Sequence, residues 1–203
     1  MAQAGTSGSA KTGISVWIFR VLLLIGAAFM AYTWFQPWWT GDFVVIQGSP
    51  DMVLHPWGVE AVSQVRTNVD ESLFQMPFPD IFAGFMWVYF AAAMLGLIAS
   101  LFVTQAIKIG PFRVPVALIV ILFFGISFAA SAGIAYEIGT LKAAASGANF
   151  IGKSNVLEPA TGAKVKMTSK LELGFWLTIA SGGFLTLLGL VRFLFVRKPK
   201  VAA

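Results

Sequence analysis

The sequence predicts an all-α integral membrane protein: a bundle of four transmembrane helices carrying an extracytoplasmic cap of one amphipathic helix and short β elements. Three observations predict it. Of 203 residues, 58% are hydrophobic and 11% charged, and the mean hydropathy is +0.81, well outside the composition of a soluble domain. Four stretches are long and apolar enough to cross a hydrocarbon core of roughly 30 Å. All 9 acidic residues fall within 37–80 or 137–172, the two long segments between stretches.

The elements follow in order. Residues 1–13 are small and polar and read as a mobile tail ahead of a membrane domain over 14–196. Span one covers 14–36, is interrupted only by Arg20, and stops at Gln36-Pro37, where proline removes a helix donor. Lys11, Arg20 and the apolar run mimic a signal peptide, but the run continues through Tyr32, Trp34 and Phe35 without a small-residue cleavage site at its end. Span one is therefore expected to be an uncleaved anchor. Span two covers 81–107 without a formal charge. At about 1.5 Å per residue it would measure roughly 40 Å, so it is expected to tilt or project from the bilayer. Span three covers 114–136, opened by Pro111 and Pro115, which a first helical turn tolerates. Span four covers 173–191, between Glu172 and Arg192. The basic tail 197–203 is expected at an anionic lipid surface.

Segment 37–80 is too long to be a mere connection. Trp34, Trp38, Trp39 and Trp57 read as anchors at the headgroup level, where indole rings are favoured. Phe43-Val44-Val45-Ile46 reads as a short strand ended by Gly48-Ser49-Pro50. Val59, Val62, Val65, Val69 and Leu73 recur at steps of three and four, the period of an amphipathic helix over about 58–74. Its acidity disfavours anionic lipid and points to docking on a protein partner. Asp80 then suits the cap of span two.

Segment 137–172 opens with a helical continuation through Leu141-Lys142-Ala143-Ala144-Ala145, stopped by Ser146-Gly147. Val156-Leu157 and Lys164-Val165-Lys166-Met167 flank Pro159 and Gly162 and read as a hairpin. Its lysines are expected to meet the acidic first segment, joining the two into one cap.

Charge gives the orientation. Residues 1–20, 105–113 and 192–203 carry Lys11, Arg20, Lys108, Arg113, Arg192, Arg197, Lys198 and Lys200 and no acid. Short loops rich in Lys and Arg stay cytoplasmic. Both termini are thus expected in the cytoplasm of an inner-membrane protein, with 37–80 and 137–172 outside.

Helices in lipid associate where small residues let backbones approach, and each later span has such a stripe: Ala92, Gly96 and Ser100; Gly125, Ala129 and Gly133; Gly174, Thr178 and Gly182. Arg20, Glu137, Glu172 and Arg192 lie at span edges, so a proton-coupled mechanism carried by ionisable groups within the membrane is not expected. With 0 Cys and 1 His, the chain alone supplies no iron–sulfur ligands, thiol nucleophile or bis-histidine haem site. Asp51, His55 and Glu60 form half of a metal site at most, completed only by a second chain. No phosphate loop, nucleophile elbow or zinc-helix motif is present.

In outline, four spans and a tryptophan-bearing first outer loop resemble a claudin-type tetraspan. The paired cysteines of that loop are absent, so no residue role is carried over. The leading functional expectation is a non-catalytic accessory subunit of a multi-subunit membrane complex, such as a redox or oxygenase complex. It would bind no cofactor of its own, touch lipid and other membrane subunits, and have no nucleic-acid partner. The alternatives are a stand-alone carrier or channel for a small neutral solute, and a subunit donating a ligand to a shared metal site.

Overall fold

The computed structural model describes residues 7–43, 52–61, 80–145, 147–157 and 164–195. Four long helices dominate: α1 (Ser7–Trp34), α2 (Asp80–Ala99), α3 (Val116–Ala145) and α4 (Leu173–Leu190), with a one-turn α5 (Arg192–Phe195). All four are long and apolar enough to cross a membrane, the mark of a multi-pass membrane protein. At one end of the helices, β1 (Trp39–Phe43), β2 (Met52–His55), β3 (Gly58–Ala61), β6 (Gly152–Leu157) and β7 (Lys164–Leu171) form a sheet in the order β3-β2-β1-β7-β6. At the other end, β4 (Ala106–Ile109) and β5 (Phe112–Pro115) form a separate hairpin.

α4 packs between α1 and α3, and missing side chains make the fit possible. A Cβ on Gly182 would stand 2.5 Å from the Gly125 carbonyl oxygen and 2.7 Å from Ala129 N. A Cβ on Gly26 would meet Leu185 at 2.6 Å, so α1 uses the same device on α4's other side. Thr178 and Thr186 donate to the carbonyls of Gly174 and Gly182, each at 2.8 Å, which satisfies their hydroxyls inside the helix. The core between helices is aliphatic and aromatic: Leu23, Met30, Trp34, Leu97, Ile121, Phe128 and Leu185 are all buried.

Several expectations need correction. The first helix starts at Ser7 rather than at 14, inside the segment read as a tail. The second stops at Ala99, well short of 107, because the chain turns and Ala106–Ile109 pairs with Phe112–Pro115. At 20 residues, α2 is about 30 Å long and matches a hydrocarbon core without the expected excess. The excess length lies in α3, whose 30 residues reach about 45 Å. Its last turns project beside the sheet, where Ala143 and Tyr136 pack with Trp39, Met52 and Phe150.

α3 ends where the sequence indicated. Gly147 takes φ +66°, Gly147 N donates to Ala144 O at 3.0 Å and Ala148 N to Ala143 O at 2.8 Å. These two bonds are the Schellman closure that a left-handed glycine permits. The hairpin read around Pro159 and Gly162 is longer than expected, running from Gly152↔Ser169 to Leu157↔Lys164. The first strand lies earlier than 43–46, at Trp39–Phe43; residues 44–46 are outside the described residues. Residues 58–61 are a strand paired to Met52–His55 and not the start of a helix. Val59 is therefore on β3, while Val62, Val65, Val69 and Leu73 are outside the described residues.

Candidate functional site

A set of specific contacts lies where the sheet meets α4 and the chain leaving α1. After α1, Gln36 and Pro37 cross directly over Gly174; a Cβ on Gly174 would clash with the Pro37 carbonyl oxygen. Trp38 then turns inward, 3% exposed, and its indole N–H donates to Thr178 Oγ1 at 2.9 Å. Trp38 O accepts from Glu172 N at 2.9 Å, which carries the β1–β7 ladder to the first residue before α4. One residue on, the Trp39 indole N–H donates to Phe150 O at 2.6 Å, and its ring stacks on Phe150 at 5.4 Å and 3°. The same ring lies over Gly41, where a Cβ would meet it at 2.6 Å. Phe150 in turn covers Gly139 of α3, which leaves no room for a Cβ. The indole N–H groups of Trp38 and Trp39 thus each have an acceptor, as burial away from water demands, whereas that of Trp34, buried at the end of α1, has none among the described residues.

Glu172 closes this junction. Thr40 Oγ1 donates to Glu172 Oε1 at 2.7 Å, and Lys170 Nζ stands 3.0 Å from the same oxygen. Burial pushes the Glu172 carboxyl up, but the Thr40 hydroxyl and the Lys170 ammonium outweigh it and hold the group below the ordinary carboxylate range. The hydrogen bond and charge of Glu172 raise Lys170 in return. Both Thr40 and Lys170 act on the one oxygen, Glu172 Oε1, and tie β1 and β7 to the start of α4.

Beside the junction lies a cavity of about 220 Å³. It is lined by Trp38, Leu54, His55, Pro56 and Gly58, by Phe82 and Met86 of α2, and by Ser131, Ala135 and Ile138 of α3. α2 and α3 touch farther down, where Gly96 faces Phe124 and Val120 and Tyr89 shares a 2.8 Å hydrogen bond with Ser127. Nearer the sheet the cavity lies between them, and Ile134, 59% exposed, also lines it. The lining is apolar, and Ser131 Oγ already donates to Phe128 O at 2.7 Å. Such a space suits an uncharged apolar occupant.

The residues singled out from sequence are distributed unevenly. His55 ends β2 and stacks on Trp57 at 4.6 Å and 7°. Glu60 sits on β3 in register with Val53, and Asp51 lies outside the described residues. Among the described residues, no three His, Cys, Asp or Glu side chains group so as to hold a metal ion. Trp34, Trp38 and Trp39 are buried, at 0%, 3% and 3% exposure, and so face the protein interior instead of anchoring at a headgroup surface. Trp57 is half-buried and stacks on Trp87 at 5.2 Å. Of the packing stripes, Gly125, Ala129 and Gly182 lie at the α3–α4 contact, and Gly174 and Thr178 meet residues 36–38 just beyond α1. Gly96 and Ser100 face inward, but Ala92 is exposed and Ala93 takes the buried place. Gly133 is also exposed, with nothing near its missing Cβ.

Sequence reasoning missed Phe150, the Trp38–Thr178 bond and the Tyr89–Ser127 bond. The one available signal was an unexplained glycine, Gly139, within a helical continuation. The chain matches no family model, and neither a curated protein nor a solved structure is detectably similar to it.

Proposed function

We propose that the chain is a non-catalytic accessory subunit of a multi-subunit membrane complex, bracing its neighbours through its helices and sheet. The observation that supports this reading is α2, of whose span only 17% is buried. Phe85, Trp87, Val88, Leu95 and Ile98 all stand exposed on it, at 42–68%. A helix held along one narrow stripe, with large apolar groups left uncovered on its other faces, has room for a neighbouring helix. In this reading the four spans form a bundle, the sheet is an extracytoplasmic cap, and the acid-free ends lie in the cytoplasm of an inner-membrane protein.

Gentle extraction from the native membrane followed by native mass spectrometry tests it. The expected result is co-purification of other subunits at fixed stoichiometry, weakened by Phe85→Ala with Leu95→Ala. A chain that emerges alone, with the same mass in both forms, sinks the proposal. The cavity favours a second reading, a carrier for a small neutral apolar solute. Solute flux into liposomes containing only this chain, abolished by Ala135→Phe, would replace the first reading with the second.

A further inference from the structure

The β4–β5 hairpin has a charge pattern that the fold alone does not explain. Its register sets Lys108 directly opposite Arg113, with Ile107↔Val114 and Ile109↔Phe112 as the alternate pairs. Facing pairs in an antiparallel ladder share one side, and alternate pairs take the other. The two cations are both exposed, and like charges directly opposite destabilise a ladder. Residues 81–136, which include the hairpin, contain neither Asp nor Glu to offset them locally. On the alternate register, Ile107 is 49% exposed, and Phe102 at the hairpin's base is 72% exposed. A two-stranded hairpin is marginal by itself in water, so this one needs a medium that takes an apolar side and an anion.

Its attachment identifies that medium. α2 ends at Ala99 and α3 begins at Val116, and Val116 N donates to Gln105 O at 3.0 Å, extending the ladder into the helix. Both strands are thus tied to helices apolar enough to span a membrane, and the hairpin cannot leave the boundary where those helices end. Other cations share this end: Arg192 lies 5.8 Å over the Phe19 ring, and Arg20 is exposed one residue further along α1.

We propose that the hairpin is an interfacial anchor for anionic lipid, the Lys108–Arg113 pair binding headgroup phosphates while the alternate register meets the acyl region. Phosphate oxygens accept from both ammonium and guanidinium donors and cancel the repulsion between them. Amphipathic elements with basic faces bind anionic bilayers in this way. The inference is independent of the bracing role, because it concerns lipid alone.

The chain has 0 Cys, so Ile107→Cys gives one attachment point for an environment-sensitive fluorophore in the full-length protein. The probe is reconstituted into phosphatidylcholine vesicles with and without phosphatidylglycerol. Shielding from the uncharged aqueous quencher acrylamide is expected to be greater with phosphatidylglycerol than without it, and this increment should be lost in Lys108→Gln/Arg113→Gln and kept in Lys108→Arg/Arg113→Lys. Native mass spectrometry of the unlabelled chain gives a second readout. The glutamine pair should lower the preference for retained phosphatidylglycerol by up to roughly 25-fold at low salt, about fivefold per charge. Equal shielding in both vesicles, or a lipid preference unchanged by the glutamine pair, overturns the proposal. Shielding seen in native membrane but absent from pure lipid also overturns it, in favour of a protein covering this face.

Discussion

α4 and α2 are both helices of transmembrane length and apolar composition, yet 44% of α4's span is buried against 17% of α2's. The difference comes from where their small residues sit. α4 places Gly174, Gly182 and Gly189 against backbone or side chains of α1's exit and α3, with Thr178 and Ser181 fully buried between them. α2 has Gly96 against Phe124 and Val120, but its Gly84 faces open space. Apolarity puts a helix in the membrane; the absence of side chains at chosen points decides what it touches there.

Glycine substitution breaks this comparison most strongly. Gly182→Ala would drive a methyl into the backbone of α3, and it should cost about 1–3 kcal/mol, the range for overpacking a closed core. Gly84→Ala, with nothing within 4 Å, should change stability by less than about 0.5 kcal/mol. Thermal unfolding in nanodiscs checks both, and equal shifts would erase the distinction. Next in size is Trp38→Phe, which removes the donor to Thr178 and should cost about 1–2 kcal/mol. Combined with Thr178→Val, it should cost less than the two single changes together, which a double-mutant cycle measures.

Tyr89→Phe sharpens the α2 side. It removes the 2.8 Å link to Ser127 and should cost about 0.5–1.5 kcal/mol. Hydrogen exchange should rise in α2 and stay constant in α4; a uniform rise would mean that α2 is as integral to the fold as α4. The smallest effect is that of pH. Glu172 sits below its ordinary value of 4.5, so its contribution is complete above that value and is lost as pH falls through the lower folded one. Unfolding followed from neutral to acid pH should lose this component in Glu172→Gln. Lys170, raised above 10.5, behaves oppositely: its contribution holds below that value and disappears only as pH rises past the folded one.

How far the sequence could be read follows from the range of the forces involved. The four apolar runs, the αL stop at Gly147 and the β6–β7 hairpin are local signals, and all three were legible. The end of α2 was not, because Ser100 to Gln105 contains neither Gly nor Pro, and the first charge after Asp80 is Lys108. Only the pairing of Lys108 with Arg113 shows where helix gives way to strand. Val59 carried a helical period, yet pairing with Leu54 decided its state. The tryptophans were ambiguous for a different reason. An indole suits a headgroup layer or a core equally, and the choice for Trp38 and Trp39 was made by Thr178 and by Phe150 O, more than a hundred residues away. Of the candidate site, the small residues of α3 and α4 were visible, and the junction and the cavity, which depend on such distant partners, were not.

The junction also sets an order of events during synthesis. Thr40 meets Glu172 across 132 residues of chain, and β1 lies between β2 and β7 in the sheet. At ribosomal speeds of about 5–20 residues per second, β1 must wait roughly 7–26 s after it is made before β7 exists to pair with it. For that interval a bare strand edge, preceded by Trp38 and beginning at Trp39, is open to any other chain being made nearby. The growing protein therefore has a built-in window in which a chaperone, or an incorrect neighbour, can reach it first.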